Sequence, residues 1–110
     1  GLGYVGLPLA VEFGKKFPTV GFDIHQKRVD ELNNGHDRTM EVDDANLKEV
    51  ISPEFKVEKN GLTVTTDTAD MEQCNVYIVT LFQRIKVYSA RVARQIINLQ
   101  DFHDFLRLSG

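Results

Sequence analysis

Three glycines at the start of the sequence have the spacing of a phosphate-binding loop. Gly1, Gly3 and Gly6 form the pattern G-x-G-x-x-G. In such a loop the first glycine permits a tight turn, the second lets the backbone approach a pyrophosphate, and the third lets a helix pack against its strand. The N-terminus of that helix offers N–H groups and partial positive charge to an anion. Alone the pattern is weak, because a structural turn explains it equally well.

An acidic residue follows the glycines at the distance that a dinucleotide site requires. Asp23 lies 22 residues after Gly1, at the end of a β-prone run. A carboxylate there accepts hydrogen bonds from the adenosine ribose hydroxyls, and its charge repels a 2′-phosphate. The two features together predict a site for NAD rather than NADP. The alternative is a purely structural turn with a capping acid.

Helix and strand signals alternate in the sequence that contains these residues. Apolar spacing and capping residues predict helices over residues 4–16, 26–33 and 45–51, with Gly35 and Asp43 as caps. Short β-prone runs predict strands over residues 19–24, 62–66 and 75–81. The alternation favours an α/β fold with a parallel sheet. A glycine loop of this type follows a strand, and no residue precedes Gly1, so we expect a partial Rossmann-type sheet that lacks its first strand.

The C-terminal segment differs in charge and pattern from the rest. Residues 1–80 carry 8 Lys and Arg against 14 Asp and Glu, a net charge of -6, whereas residues 81–110 carry 5 against 2, a net charge of +3. From Arg84 onward, apolar residues recur every three, four or seven positions: Ile85, Tyr88, Val92, Ile96, Leu99 and Leu106. This spacing predicts a long amphipathic C-terminal helix.

Composition excludes several classes of protein. One cysteine, Cys74, excludes an internal disulfide framework and fits a reducing cytoplasm. No apolar run is long enough for a membrane span. Cations are few and spread out in the C-terminal segment, which argues against nucleic-acid binding. His25, His36 and His103 lie far apart, so no metal site is expected.

Two further groups of residues are interpreted as structural. Cys74 precedes a predicted strand and is expected to be a packing residue. The acidic cluster of Asp37, Glu41, Asp43 and Asp44 is expected to form a solvated loop with helix caps rather than an acid–base site. We therefore predict no catalytic residue in this chain.

Three stretches resemble a known family. GLGYVGLPLAVEFGKK, GFDIHQKRVDELNNGHDRTMEVDDANLKEV and TTDTADMEQCNVYIVT are similar to the N-terminal region of the UDP-glucose/GDP-mannose dehydrogenases. Within that family they most resemble bacterial UDP-N-acetylglucosamine and UDP-N-acetylgalactosamine 6-dehydrogenases, including the Vi polysaccharide type. The resemblance implies a cytoplasmic, homodimeric parent that oxidises the C6 hydroxyl of a UDP-sugar with two NAD for surface polysaccharide synthesis. Its catalytic cysteine would lie in a domain that this chain lacks.

The resemblance also assigns residues to the cofactor. It implies a pyrophosphate loop made of Gly1, Gly3, Tyr4, Val5 and Gly6. Asp23 would bind the ribose, and Arg28 would lie against the adenosine, unless Arg28 is simply a solvated helix residue. Val79 and Thr80 match the strand end that faces the dinucleotide.

The resemblance ends after Thr80. The family continues Val-Pro-Thr-Pro, whereas this sequence reads LFQR over residues 81–84, and the cofactor-facing threonine expected near position 83 is absent. The bases G TTC CAA CGC, which encode the end of Leu followed by Phe-Gln-Arg, read Val-Pro-Thr one position earlier, although the agreement does not reach the second proline. A reading-frame shift is one hypothesis; a variant terminus or a splice with unrelated sequence is the other.

The sequence thus predicts residues 1–80 to be a partial NAD-binding domain and residues 81–110 to be a divergent, helical segment. We expect no turnover from this chain alone. The competing interpretation is a small non-enzymatic nucleotide-binding or protein-interaction module.

Overall fold

The computed structural model describes residues 1–81, 84–89 and 91. Its helices are α1 (Gly6–Gly14), α2 (Gln26–Asn33) and α3 (Asp44–Val50), with a 3-10 helix over Thr68–Gln73. Its strands are β1 (Pro18–Phe22), β2 (Gly61–Thr65), β3 (Val76–Leu81) and β4 (Arg84–Ser89). The α/β class predicted from the alternation of helix and strand signals is confirmed.

The first two strands form a parallel sheet. β1 pairs with β2 in a register that runs from Pro18 opposite Gly61 to Phe22 opposite Thr65. Parallel neighbours need a long crossover, and α2 and α3 lie in the segment between them. This arrangement confirms the parallel pairing that the sequence predicts.

Two capping residues act as their types predict. The carboxylate of Asp43 accepts the backbone N–H of Asn46 at 2.8 Å and so caps α3. Gly35 follows α2 with a φ of 79°, a left-handed conformation that favours glycine, and its N–H donates to the carbonyl of Leu32 at 2.9 Å. Helix α2 therefore ends before Gly35 and α3 begins after Asp43, as the types of these two residues predict.

Among the described residues, an apolar core joins the glycine loop, the helices and β2. Its buried members are Leu2, Leu7, Val11, Val29, Leu32, Val42, Leu47, Val50, Leu62 and Val64. Pairs three or four residues apart in each helix point inward, which is the spacing of one helical face. Each fully buried side chain of this size stabilises the fold by about 1.5–3 kcal/mol relative to exposure. Because Leu2 belongs to this core, the glycine loop is anchored to it.

The predicted amphipathic helix is wrong over its first residues. Arg84–Ser89 forms β4, which pairs antiparallel with β3 from Val76 opposite Ser89 to Leu81 opposite Arg84. The β-branched Ile85 and Val87 favour a strand, and pairing with β3 overrides the helical spacing of this segment. Of the rest of the predicted helix the structure describes only residue 91, which is helical; residues 90 and 92–110 lie outside the described residues.

In the part of the chain that the structure describes, no helix is both long and apolar enough to cross a membrane.

Candidate functional site

The glycine loop leads directly into the N-terminus of α1. Val5 occupies the N-cap position and makes no side-chain capping hydrogen bond, while the N–H of Leu7 donates to the carbonyl of Gly3 at 3.1 Å. A Cβ built on Gly3 would meet no atom within 4 Å. Tyr4 and Val5 are exposed beside it. The loop therefore has open space at Gly3, where a phosphate group can approach the backbone and the helix N-terminus.

Gly6 lies in a much tighter place. A Cβ at this position would lie 1.9 Å from the carbonyl oxygen of Gly1 and 2.8 Å from Oγ1 of Thr80. No side chain fits without moving the loop. The sequence predicts that Gly6 lets a helix pack against a strand, and the structure shows that its closest neighbours are Gly1 and Thr80.

Asp23 lies immediately beyond β1 and contacts the glycine loop. Its Oδ2 accepts the backbone N–H of Leu2 at 3.0 Å, and its Oδ1 accepts the N–H of His25 at 2.9 Å. The residue is 4% exposed. Each carboxylate oxygen has a second lone pair, so both retain acceptor capacity. The structure thus brings the predicted ribose-binding acid to the predicted pyrophosphate loop.

The C-terminal end of β3 reaches the same loop. The hydroxyl of Thr80 donates to the carbonyl of Gly1 at 3.1 Å, across 79 positions of sequence. Val79 and Thr80 are both half-buried. The loop therefore lies between the ends of two strands, with Asp23 after β1 on one side and Thr80 of β3 on the other.

The side chain of Arg28 hydrogen-bonds to the backbone of the glycine loop. Its guanidinium donates to the carbonyl of Leu2 from Nε at 3.2 Å and from Nη2 at 2.8 Å. Nη1 donates to Glu31 and to Asp37, each at 2.8 Å. Arg28 is 8% exposed, so the interpretation as a solvated helix residue is wrong. Its contact with adenosine stays a prediction.

Asp37 is the residue that sequence reasoning missed. It is fully buried, and besides Arg28 its carboxylate accepts the backbone N–H groups of Thr39, Glu41 and Val42 and the hydroxyl of Thr39. Burial alone would raise the pKa of Asp37, but hydrogen bonds from Thr39 and Arg28 outweigh it and lower the pKa to about 2. The expectation of a solvated acid is wrong here. The spacing of Asp37 and Thr39, typical of an Asx turn, was the available signal.

Metal ligation finds no support in the described residues, which contain no cluster of three or more His, Cys, Asp or Glu side chains. Cys74 is a half-buried free thiol, and burial raises its pKa. A thiol with a raised pKa is a poor nucleophile, which agrees with a packing role.

The fold and the loop together define a class. A glycine loop opens a helix, the next strand ends in an acid that contacts this loop, and the strand belongs to a parallel sheet; this is the arrangement of a Rossmann-type dinucleotide-binding domain. Residues 1–82 match the UDP-glucose/GDP-mannose dehydrogenase family, NAD binding domain. The chain belongs to this family, and the expected cofactor is confirmed as NAD.

Two of the curated relatives described next share the name UDP-N-acetyl-D-glucosamine 6-dehydrogenase. The chain is 54% identical over 81 residues to UDP-N-acetyl-D-glucosamine 6-dehydrogenase of Pseudomonas aeruginosa, a match that covers 74% of this chain and 17% of that protein. It is 43% identical over 88 residues to the Salmonella typhi protein of the same name, covering 80% of this chain and 19% of that protein. Protein CapL of Staphylococcus aureus is 38% identical to this chain over 81 residues, a match that covers 74% of this chain and 17% of that protein. The chain spans less than a fifth of the length of these relatives. No solved structure gives a significant match.

Proposed function

We propose that this chain is the NAD-binding portion of a nucleotide-sugar 6-dehydrogenase whose substrate is a UDP-N-acetylhexosamine. The family match supports the class, and the names of two relatives support the sugar. The observation that carries the proposal is the hydrogen bond from the N–H of Leu2 to Asp23. It joins the loop that would bind pyrophosphate to the acid that would bind ribose.

Different residues would bind different parts of the dinucleotide. The pyrophosphate would lie over Gly3 and the N-terminus of α1, where open space and helical N–H groups meet. The adenosine ribose would donate to the remaining lone pairs of Asp23. Thr80 and Val79 would face the dinucleotide from the end of β3, and Arg28 would adjoin the adenosine while its guanidinium holds Leu2.

The chemistry belongs to the parent enzyme. Oxidation of a C6 alcohol to a carboxylate removes two hydrides and takes its second oxygen from one water, so two molecules of NAD would be consumed for each sugar. The described residues offer binding groups and no activated nucleophile, since burial raises the pKa of the Cys74 thiol. We infer a homodimeric, cytoplasmic parent and no turnover from the 110-residue chain. NADH formation from a UDP-sugar by the purified chain would contradict that inference.

Calorimetric titration of NAD and NADP tests the site. The wild-type chain should bind NAD in preference to NADP, because the charge of Asp23 repels a 2′-phosphate. Asp23→Asn should weaken NAD binding by about tenfold and reduce the preference, since hydrogen bonds to charged groups contribute about 1.5–3 kcal/mol. Asp30→Asn is the matched control, because Asp30 is an exposed acid on α2. An unchanged NAD/NADP ratio in Asp23→Asn would overturn the assignment.

A further inference from the structure

Asp23 and Arg28 bind the two backbone polar groups of the same residue, Leu2. Asp23 accepts the N–H of Leu2 at 3.0 Å, and the Arg28 guanidinium donates to the carbonyl of Leu2 at 3.2 and 2.8 Å. In dinucleotide sites that take NADP, an arginine near this position accommodates the 2′-phosphate. The structure therefore has a cation suited to NADP close to an acid suited to NAD.

Two carboxylates bind the remaining side of this guanidinium. Nη1 of Arg28 donates to Glu31 and to Asp37, each at 2.8 Å. A guanidinium has five N–H donors. The bonds to Leu2, Glu31 and Asp37 use four of these donors. Because strong pairing with a phosphate needs two parallel N–H groups, Arg28 in this position cannot offer that pair.

The same two carboxylates fix the position of the guanidinium. The Asp37 side chain is fully buried, and the side chains of Arg28 and Glu31 are 8% and 18% exposed. The Asp37 carboxylate is itself held by three backbone N–H groups of residues 39–42. Burial alone would lower the pKa of Arg28, but its hydrogen bonds to Asp37 and Glu31 outweigh burial and raise that pKa. Moving the guanidinium toward a ligand would break these charge-assisted bonds.

We propose that Glu31 and Asp37 determine cofactor specificity, favouring NAD over NADP by keeping the guanidinium of Arg28 away from the 2′-phosphate. This inference rests on the dinucleotide-binding function proposed above. Both acids act through Arg28 and neither contacts the cofactor, so they are positioning residues. They also offset the charge of Arg28, because two carboxylates face one guanidinium. Asp23 repels the 2′-phosphate directly, and the two acids prevent the nearby cation from attracting it.

A purely structural role for the two acids predicts a different result. NAD and NADP differ only in the 2′-phosphate. A loop that is merely loosened would therefore bind both dinucleotides more weakly, and the ratio of their dissociation constants would not change. Release of Arg28 would strengthen the binding of NADP relative to NAD. The ratio of the two dissociation constants thus separates the specificity role from a structural one.

Calorimetric titration of NAD and NADP into the full chain carrying Glu31→Ala tests the proposal. This substitution releases one N–H of Nη1 and removes one negative charge, while the bond from Arg28 to Asp37 is retained. We expect the preference for NAD to fall by about tenfold, since NADP gains a hydrogen bond between charged groups. Asp30→Ala is the matched control, because Asp30 is the exposed neighbour on α2 and accepts from Gln26 at 2.8 Å.

Asp37→Asn is the second variant, and its preference for NAD should fall as well. If Asp37→Asn does not fold, Glu31→Ala decides alone. An unchanged ratio in Glu31→Ala, or an equal change in Asp30→Ala, would overturn this inference while NAD binding by the wild-type chain still supports the proposed function. A wild-type chain that binds neither dinucleotide would overturn both.

Discussion

The guanidinium of Arg28 holds the carbonyl of Leu2 through two hydrogen bonds, from Nε at 3.2 Å and Nη2 at 2.8 Å. The N–H of the same Leu2 donates to Asp23 at 3.0 Å. One residue of the glycine loop is thus held by both of its backbone polar groups. Because these bonds join groups of the chain itself, they order the loop, and a loop that its own chain orders costs less entropy when it binds a ligand.

Replacing Arg28 with lysine should loosen the loop. A lysine ammonium cannot reproduce the planar pair of bonds to Leu2, so we expect Arg28→Lys to lose about 1–3 kcal/mol of unfolding free energy and to weaken NAD binding. Urea denaturation measures the first effect and calorimetry the second. Arg38→Lys is the control, because Arg38 is 70% exposed and its ion pair spans 3.9 Å. Equal stability of the two variants would show that Arg28 does not brace the loop.

Removing the Asp37 carboxylate should lower the unfolding free energy by more than Arg28→Lys does. Asp37→Ala leaves the buried N–H groups of Thr39, Glu41 and Val42 without their acceptor and removes an ion partner of Arg28. We expect the unfolding free energy to fall by about 3–5 kcal/mol, the usual result of removing one partner of a buried ion pair. Asp30→Ala is the exposed comparison and should lie within about 1 kcal/mol of wild type. A small loss in Asp37→Ala, measured by urea denaturation, would contradict the buried network.

The low pKa of Asp37 predicts a specific acid sensitivity. Its carboxyl titrates at about 2 in the folded chain, against an ordinary value of 3.8. A depressed pKa stabilises the fold above the ordinary value, and this contribution, on the order of 2 kcal/mol, is lost as pH falls from about 4 to about 2. Unfolding free energies of wild type and Asp37→Asn should therefore converge over that range. If the two curves stay parallel, Asp37 is not the titrating group.

Gly6 should tolerate no side chain. Alanine there would bring its Cβ to 1.9 Å from the carbonyl oxygen of Gly1. We expect Gly6→Ala to displace the loop and to lower both thermal stability and NAD affinity. Gly14→Ala is a useful comparison, since its Cβ would lie 3.0 Å from a side-chain atom of Leu62 and far from the loop. It should affect stability and leave NAD affinity unchanged; the reverse pattern would contradict the role given to Gly6.

Local sequence was sufficient for much of the fold. Helix α2 begins and ends where apolar spacing predicts, and Asp43 and Gly35 cap as their residue types require. The spacing between Gly1 and Asp23 is that of a loop, a helix and a strand of ordinary length, and Asp23 accordingly follows β1 and contacts Leu2 of the loop; its contact with ribose stays a prediction. These features depend on neighbours along the chain.

Features that depend on distant residues were not predictable. The apolar positions of Ile85 and Tyr88 fit a helix, but pairing with β3 makes Arg84–Ser89 a strand. Burial of Asp37 depends on Arg28, which α2 carries to it, and no periodicity encodes that contact. The hydrogen bond from Arg28 to the carbonyl of Leu2 joins residues that are 26 positions apart in sequence. Such contacts depend on how the helices pack against the rest of the fold, so the local sequence does not predict them.

The most direct test of dinucleotide binding at this loop is the NAD affinity of Gly3→Ala. A Cβ at Gly3 meets no protein atom within 4 Å, so the variant should fold with wild-type stability. The same Cβ would project toward the place proposed for the pyrophosphate, so NAD affinity should fall by about tenfold or more, a cost of at least about 1.4 kcal/mol. Wild-type NAD affinity in a stably folded Gly3→Ala chain would contradict the account.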